Sequence, residues 1–240
     1  MWTTYIIIVI KIIIIYEGDR KTMNSTNLKI IACLTMLIDH LGAVFFPQYI
    51  YLRIIGRIAF PIFAFLIAEG YLHTHNVKKY LIRLFTFALI SEIPFNLAFN
   101  GNIIDFGSGL NVFFTLFFGL LAVFVYDHYK NFGFLPVLLI GIIAHLLDTD
   151  YGMLGVMVIF AFYAFKGDFY KQALSYILLT LVFLGILYLE YESINLQVFS
   201  PIALIPIYFY NGKKGFNIKY LFYVFYPGHL LILGLLRYIL

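Results

Sequence analysis

Residues 51–72 read YLRIIGRIAFPIFAFLIAEGYL, an apolar run interrupted only by Arg53, Arg57 and Glu69. A helix needs roughly 20 predominantly apolar residues to cross a bilayer, so this run predicts a transmembrane helix. The whole chain has the same character: of its 240 residues, 63% are hydrophobic and 12% are charged, a charged share about half that of a soluble domain. So few polar groups cannot cover the surface of a soluble domain of this size. We therefore exclude the soluble, disordered, fibrous and disulfide-rich classes and predict an all-α, polytopic transmembrane helical bundle.

The remaining apolar runs are separated by short polar breaks. Together with the first run they predict about nine spans, at residues 28–46, 51–72, 79–99, 110–126, 133–147, 152–165, 171–189, 196–210 and 218–238. Three of them, 133–147, 152–165 and 196–210, are short, and we expect thin, tilted or re-entrant helices there. So many spans leave no room for a soluble domain, so any chemistry must lie among the helices or in short loops. We treat residues 1–22 as an N-terminal extension and 23–240 as a single transmembrane domain.

The polar breaks alternate in charge along the chain. Lys and Arg occur in the breaks at residues 17–29, 73–83, 127–132, 166–171 and 211–219. Neither occurs in the breaks at residues 100–109, 148–151 and 190–195. By the positive-inside rule the basic breaks face the cytoplasm, so the first span runs from inside to outside and the C-terminus lies outside.

Ionisable side chains inside spans are costly to bury, so each is a candidate functional residue. At ~1.5 Å per residue, this topology brings His40, Arg57 and Glu92 to one depth, roughly 9–10 Å below the outer surface. Charges of both signs at one depth favour pairing, and Arg57 could form a structural ion pair with Glu92 or with Asp39. His40 needs a partner at that depth, and its neutral form can act as a base. Further polar side chains fall in the same outer half: Arg53, Asn96, Asn111, Thr115 and His145.

The cytoplasmic side carries its own basic group. A rim of cations there would suit an anionic ligand such as a nucleotide phosphate, although these residues could equally serve only as topology signals. The residues are Lys29, Lys78, Lys79 and Arg83. His229 lies near the middle of the last span, after Pro227 and Gly228, which we expect to break that helix. The chain contains no Walker loop, no GxGxxG motif, no HExxH and no CxxC, so we predict no metal, and the net charge of +4 does not indicate nucleic-acid binding.

Five blocks of this sequence resemble the TraX family, whose namesake is a conjugal-transfer protein that N-acetylates pilin. The blocks are LKIIACLTMLIDHLGAVFFP, LRIIGRIAFPIFAFLIAEG, KKYLIRLFTFALISEIPFNLAF, NVFFTL and KYLFYVFYPGHLLIL, from about residue 28 to 238. The resemblance implies a multi-pass acetyltransferase of the bacterial cytoplasmic membrane. It would move an acetyl group from cytoplasmic acetyl-CoA to an amine or hydroxyl of a pilin-like protein or a cell-surface glycan. A looser likeness is to acyltransferase-3 membrane enzymes, many of which carry a basic residue, ten residues and then His, as Lys29 and His40 do here.

The second likeness implies that His40 is the catalytic histidine and Lys29 an inner-side basic residue, and we predict roles for the other candidates beside them. His40 would be the general base, oriented by Asp39 or Glu92, and Arg57 would stabilise the oxyanion. The cytoplasmic cations Lys29, Lys78, Lys79 and Arg83 would hold the donor's phosphates. The acceptor would meet Arg53, Asn96, Asn111 and His145. Two other classes remain open: a solute transporter that uses the same buried charges, and a non-catalytic assembly factor for pili or other surface structures.

Overall fold

The structure is a computed structural model that describes residues 22–102, 109–191 and 195–239. Within these residues the chain forms helices and no β-strand, which confirms the all-α prediction. The helices are α1 Ser25–Val44, α2 Ile50–Gly56, α3 Ala59–His73, α4 Val77–Asn100, α5 Val112–His128, α6 Leu135–Leu146, α7 Gly152–Ala164, α8 Phe169–Tyr191, α9 Leu204–Tyr208 and α10 Lys219–Ile239, with 3₁₀ turns at Lys130–Phe132 and Leu196–Ala203. Nearly all of the predicted N-terminal extension lies outside the described residues, so the proposed division of the chain stays a prediction.

Each predicted span corresponds to helical structure. By length and composition, five helical segments among the described residues can cross a membrane: Ser25–Val44, Ile50–His73, Val77–Asn100, Phe169–Glu190 and Phe222–Ile239. The other apolar helices are shorter, namely Val112–His128, Leu135–Leu146, Gly152–Ala164 and Leu196–Tyr208. Three of these four are the runs expected to be short. The chain is thus a helical membrane protein.

The predicted span at 51–72 is not one continuous helix, because it divides at Arg57 and Ile58 into α2 and α3. Pro61 explains the division, since it has no N–H to donate to the carbonyl of Arg57. Pro61 lies in the first turn of α3, where backbone N–H groups have no partner within the helix. The division leaves Arg53 near the end of α2 and Arg57 in the turn that follows.

The expectation that Pro227 and Gly228 break the last span is wrong, because α10 runs through both residues to Ile239. A broken helix at membrane depth would leave several backbone groups without partners, whereas proline removes only one hydrogen bond. The outer half of α10 is also held by α4, where the Arg237 Nη1 group donates to the carbonyl of Ala98 at 2.8 Å.

Helix α3 lies at the centre of the bundle and packs against α1, α5 and α7. All of its residues from 59 to 68 are buried, so it presents no apolar face to lipid. By contrast, α6 and α8 expose many large apolar side chains, as expected of helices in contact with lipid. The central helix therefore connects the two ends of the molecule through a protein interior.

Backbone hydrogen bonds between loops show which loops share an end of the bundle. At one end the Met23 N–H donates to the carbonyl of Phe209 at 2.9 Å, and the Asn211 N–H donates to the carbonyl of Met23 at 2.8 Å. At the other end the Leu110 N–H donates to the carbonyl of Asp148 at 2.8 Å. The first pair joins two basic breaks and the second joins two breaks without Lys or Arg, as the alternation of charge requires. We call these the inner and the outer end.

Candidate functional site

The outer end contains a cavity of about 220 Å³ between α1, α2, α3 and α4. Its lining combines charged side chains with aromatic rings. Four of the predicted site residues line it: Asp39, His40, Arg53 and Arg57. Asp150 and Tyr151, from the loop before α7, also line it, and the Tyr151 ring stacks on Phe60 of α3 with 3.6 Å between ring centroids.

Asp39 is the centre of an ion cluster in this cavity. The Arg57 Nη2 group donates to both carboxylate oxygens of Asp39 at 2.7 Å. The Arg53 Nη1 group donates to Asp39 Oδ2 at 2.8 Å and to the Asp39 carbonyl at 3.1 Å. Of the two partners considered for Arg57, the structure therefore selects Asp39. These three side chains together carry one positive charge, and a second carboxylate, that of Asp150, lines the same cavity.

The backbone at Gly56 makes this cluster possible. A Cβ atom built on Gly56 would overlap the carboxylate and the Cβ atom of Asp39. The absence of a side chain therefore lets the end of α2 lie directly against α1, so that both arginines reach the same carboxylate.

His40 forms a pair with His229 of α10, and the two ring nitrogens, Nδ1 of His40 and Nε2 of His229, lie 2.7 Å apart. The rings are nearly parallel, with an interplanar angle of 8°. The other nitrogen of His229, Nδ1, lies 2.7 Å from the carbonyl oxygen of Phe225. This pair joins α1 to α10 beside the outer cavity.

The carbonyl of Phe225 assigns the protons of both neutral rings. A carbonyl can only accept, so His229 Nδ1 carries the hydrogen and His229 Nε2 is the acceptor. His40 Nδ1 must then be the donor. The remaining nitrogen, His40 Nε2, keeps its lone pair. The hydrogen-bond partners thus give His40 the tautomer of a general base.

A carboxylate does not orient His40 in this arrangement, contrary to the expectation for Asp39 or Glu92. Asp39 bonds the two arginines, and Glu92 Oε2 accepts from Asn111 Nδ2 at 2.5 Å. Among the described residues, the side chain that pairs with His40 is His229 instead. The sequence marks His229 as a buried histidine but does not pair it, because it lies 189 positions from His40 and no local spacing relates them.

Of the four residues predicted to bind the acceptor, three do not line the outer cavity. Asn111 caps α5 and bonds Ala88 and Glu92 of α4, which makes it a tie between those helices. Asn96 is buried and accepts from Asn100. His145 is exposed at the end of α6. Arg53 is the member of this set that lines the cavity. Asp150 also lines it, although the sequence does not by itself indicate a role for this residue.

The inner end contains a larger cavity of about 360 Å³. Of the four cytoplasmic cations assigned to the donor, Lys29 and Arg83 line it, and Lys214 from the loop before α10 adds a third. Lys78 and Lys79 lie outside its lining and are exposed in the first turn of α4. With Glu69 as the carboxylate in the lining, the cavity has an excess of positive charge.

Arg83 is held in this cavity by aromatic rings. Its guanidinium carbon lies 5.2 Å from the ring centroids of both Tyr80 and Tyr223, within the range of a cation–π contact. Its Nε atom is buried without a hydrogen-bond partner, and none of the described residues forms an ion pair with it. A buried donor without a partner at the edge of a cavity suits an anionic ligand.

Comparison with known proteins places these residues in a family. The family described as TraX protein matches residues 24–237. The chain belongs to the TraX family. The match spans both cavities, so the resemblance seen in the five sequence blocks is confirmed.

Two relatives illustrate the range of similarity within these matches. A probable fimbrial assembly protein FimC, serogroup H1, of Dichelobacter nodosus is 29% identical over 229 residues, which is 88% of this chain and 94% of the relative. An uncharacterized protein, RP591, of Rickettsia prowazekii (strain Madrid E) is 44% identical over 48 residues, which is 20% of this chain and 19% of the relative. No solved structure matches the chain significantly.

Proposed function

We propose that this TraX-family chain is a membrane-embedded acetyltransferase that takes its acetyl group from cytoplasmic acetyl-CoA. The observation that carries the proposal is the His40–His229 pair, whose hydrogen bonds leave a basic nitrogen beside the outer cavity. The acceptor would be an amine or a hydroxyl of a pilin-like protein or a cell-surface glycan. The printed name of the Dichelobacter relative, a probable fimbrial assembly protein, supports a role connected with pili. The setting would be the bacterial cytoplasmic membrane.

The reaction needs a base on the acceptor side. His40 Nε2 takes the proton from the attacking amine or hydroxyl, whose nitrogen or oxygen forms a bond to the thioester carbonyl carbon. The carbon–sulfur bond then breaks, and His40 returns the proton to the leaving thiolate, so coenzyme A departs as the thiol. When His40 is protonated, its Nδ1–H still donates to His229 Nε2. The second imidazole thereby does what a carboxylate does in a catalytic triad, and it brings no further charge to the site.

The ion cluster would act on the negative charge that develops during transfer. Arg53 keeps 30% of its side chain exposed and faces the cavity, whereas the Arg57 side chain is 15% exposed. Asp39 neutralises one of the two cations, and the exposed part of the Arg53 side chain would donate hydrogen bonds to an oxyanion in the cavity.

The inner cavity fits the opposite end of the donor. Lys29, Arg83 and Lys214 would meet its phosphate groups, and the unpaired Nε atom of Arg83 would gain a partner there. For Lys78 and Lys79, which lie outside the lining, a role in topology accounts for their exposed positions.

The test is transfer of labelled acetyl from acetyl-CoA to an amine-bearing pilin peptide or a glycan, by protein in nanodiscs. We expect His40→Ala to lower the transfer rate roughly 10²–10⁴-fold. His229→Gln, whose amide oxygen can still accept from His40 Nδ1, should keep more activity than His229→Leu, which cannot. His128→Ala is the matched control, because His128 is exposed at the end of α5 and lines neither cavity. Full transfer by folded His40→Ala protein would reject the proposal.

A non-catalytic assembly factor is the second candidate, and the name of the Dichelobacter relative favours it. This function predicts that pilus assembly tolerates His40→Ala but fails with a packing variant such as Gly56→Leu. Comparison of both variants in one assembly assay separates the two functions.

A further inference from the structure

The two cavities approach each other at a single residue. Phe63 of α3 lines both the inner and the outer cavity. Between them lies a small void of about 10 Å³, which is room for about one water molecule. The residues around this void come from α1, α3, α5 and α10, and include Met36, Phe63, Val112, Leu116, Phe222 and Tyr226.

The narrow region is apolar. The rings of Phe63 and Phe222 lie with their centroids 5.1 Å apart, and no residue in the lining of the void carries a charge. An apolar constriction with room for about one water molecule excludes ions and phosphate groups, because they would lose their hydration without gaining polar partners. A thin, uncharged chain has little hydration to lose, so entering such a region costs it little free energy.

In the proposed reaction, the donor must extend from the inner cavity to the outer cavity. Lys29, in the inner cavity, and His40, in the outer cavity, lie eleven residues apart on α1, which corresponds to roughly 16–17 Å. The phosphates of a donor cannot follow its acetyl group past the constriction. If the phosphates stay with Lys29 and Arg83, only the uncharged arm that carries the thioester can reach His40.

We propose that Phe63 and Phe222 form a gate that joins the two cavities into one passage, and that the uncharged arm of the donor lies through this gate during transfer. This inference rests on the proposed acetyltransferase function, because the arm is that of acetyl-CoA. With the gate closed, the apolar rings separate the two aqueous sides of the membrane. Displacement of the two rings opens a path wide enough for the arm.

The first test asks whether the cavities are joined at Phe63. Met36 borders both the outer cavity and the void, so Met36→Cys in a Cys33→Ser background places a single thiol at the gate. A charged, membrane-impermeant methanethiosulfonate reagent should modify this thiol from the outer side of right-side-out vesicles. From the inner side, in inverted vesicles, modification should be slow and should become at least ten times faster when Phe63→Ala is added.

Phe65→Ala is the matched control for this test. Phe65 lies on the same helix and is 4% exposed, as is Phe63, but it lines neither cavity nor the void. It should leave the inner-side rate unchanged. Phe222→Ala should act as Phe63→Ala does, which guards against local misfolding of one variant. Unchanged inner-side modification in both gate variants, or no modification from the outer side, would overturn the passage.

The second test asks whether the arm enters the gate. Acetyl-CoA on the inner side should slow outer-side modification of the introduced thiol at least tenfold, with Phe63 and Phe222 intact. Adenosine 3′,5′-bisphosphate, which has the phosphates but no arm, should compete for the inner cavity without this protection. Binding of labelled acetyl-CoA without protection would overturn the position of the arm and leave the acetyltransferase proposal standing. No binding at all would reject the acetyltransferase proposal and the arm, while the first test still decides whether the gate exists.

Discussion

The buried carboxylate of Asp39 forms ion pairs with two guanidinium groups. Its charge therefore contributes more to stability than the charge of an exposed ion-pair partner does. Removing one partner of a buried pair leaves uncompensated charge, which costs about 3–5 kcal/mol. We expect Asp39→Asn to lower the free energy of unfolding by about this amount, since Arg53 and Arg57 would then repel each other. Thermal unfolding in detergent measures the loss. Lys171→Gln, which breaks the exposed Lys171–Asp168 pair, should leave the stability almost unchanged.

A double substitution tests whether charge is the cause of that loss. In the Asp39→Asn background, Arg53→Gln restores the net charge of the cluster to that of the unmodified protein. It should therefore recover part of the lost stability, because only one buried cation remains. A double variant less stable than Asp39→Asn alone would show that geometry, and not charge, dominates at this site.

Depth along each span identifies His40 and Arg57 of the outer cavity but not their partners. The count of residues from a helix end gives one coordinate, and it brings His40, Arg57 and Glu92 to one level. Which helices are neighbours is a separate matter that tertiary packing decides. Arg57 therefore has two possible partners in the sequence and one in the structure, and His229, on a helix distant in sequence, is left without a predicted partner.

At the scale of elements, the contact between α1 and α2 depends on Gly56. A methyl group there would occupy the space of the Asp39 carboxylate, so Gly56→Ala must push α2 away or displace Asp39. Overpacking of this kind costs typically about 1–3 kcal/mol. We expect Gly56→Ala to lose that much stability in a denaturation assay and to impair any activity of the outer cavity.

Gly185→Ala is the matched helix control for this contact. A Cβ atom at Gly185 in α8 would meet no atom within 4 Å. Alanine is the better helix former by about 1 kcal/mol, so this variant should be as stable as the unmodified protein or more so. Equal losses at both glycines would mean that the contact of α2 with Asp39 is not what Gly56 provides.

The sequence predicts where the helices lie better than it predicts where a helix is interrupted. Apolar runs of the right length mark each helix, because lipid demands both an apolar surface and a satisfied backbone. At proline residues, this reasoning misses one helix division and predicts another that does not occur. Pro61 lies after a division that the apolar run does not show, whereas Pro227 lies inside a helix that was expected to break. Both prolines lack the N–H that a helix would use, yet only Pro61 follows a division, so the position of a proline does not by itself predict where a helix divides.

At the scale of the whole molecule, we expect the short helices α5, α6 and α7 to cross the membrane. Their 17, 12 and 13 residues correspond to about 26, 18 and 20 Å, less than the roughly 30 Å of a hydrocarbon core. The structure nevertheless places their ends at opposite sides. The Tyr71 hydroxyl, near the inner end of α3, donates to Asp127 Oδ2 at 2.8 Å, whereas Leu110 bonds Asp148 at the outer end.

Alkaline phosphatase fusions, active only outside the cytoplasm, distinguish the two topologies. If the three short helices cross, with thinning of the bilayer around them, fusions after Lys130 and Lys166 should be inactive and a fusion after Asp150 should be active. If only the five long segments cross, all three positions lie outside and all three fusions should be active. We expect the first pattern, because both Lys130 and Lys166 follow helices whose ends lie with the inner end of α3. An active enzyme after Lys166 would place the end of α7 outside the cytoplasm, which the positive charge of that break opposes.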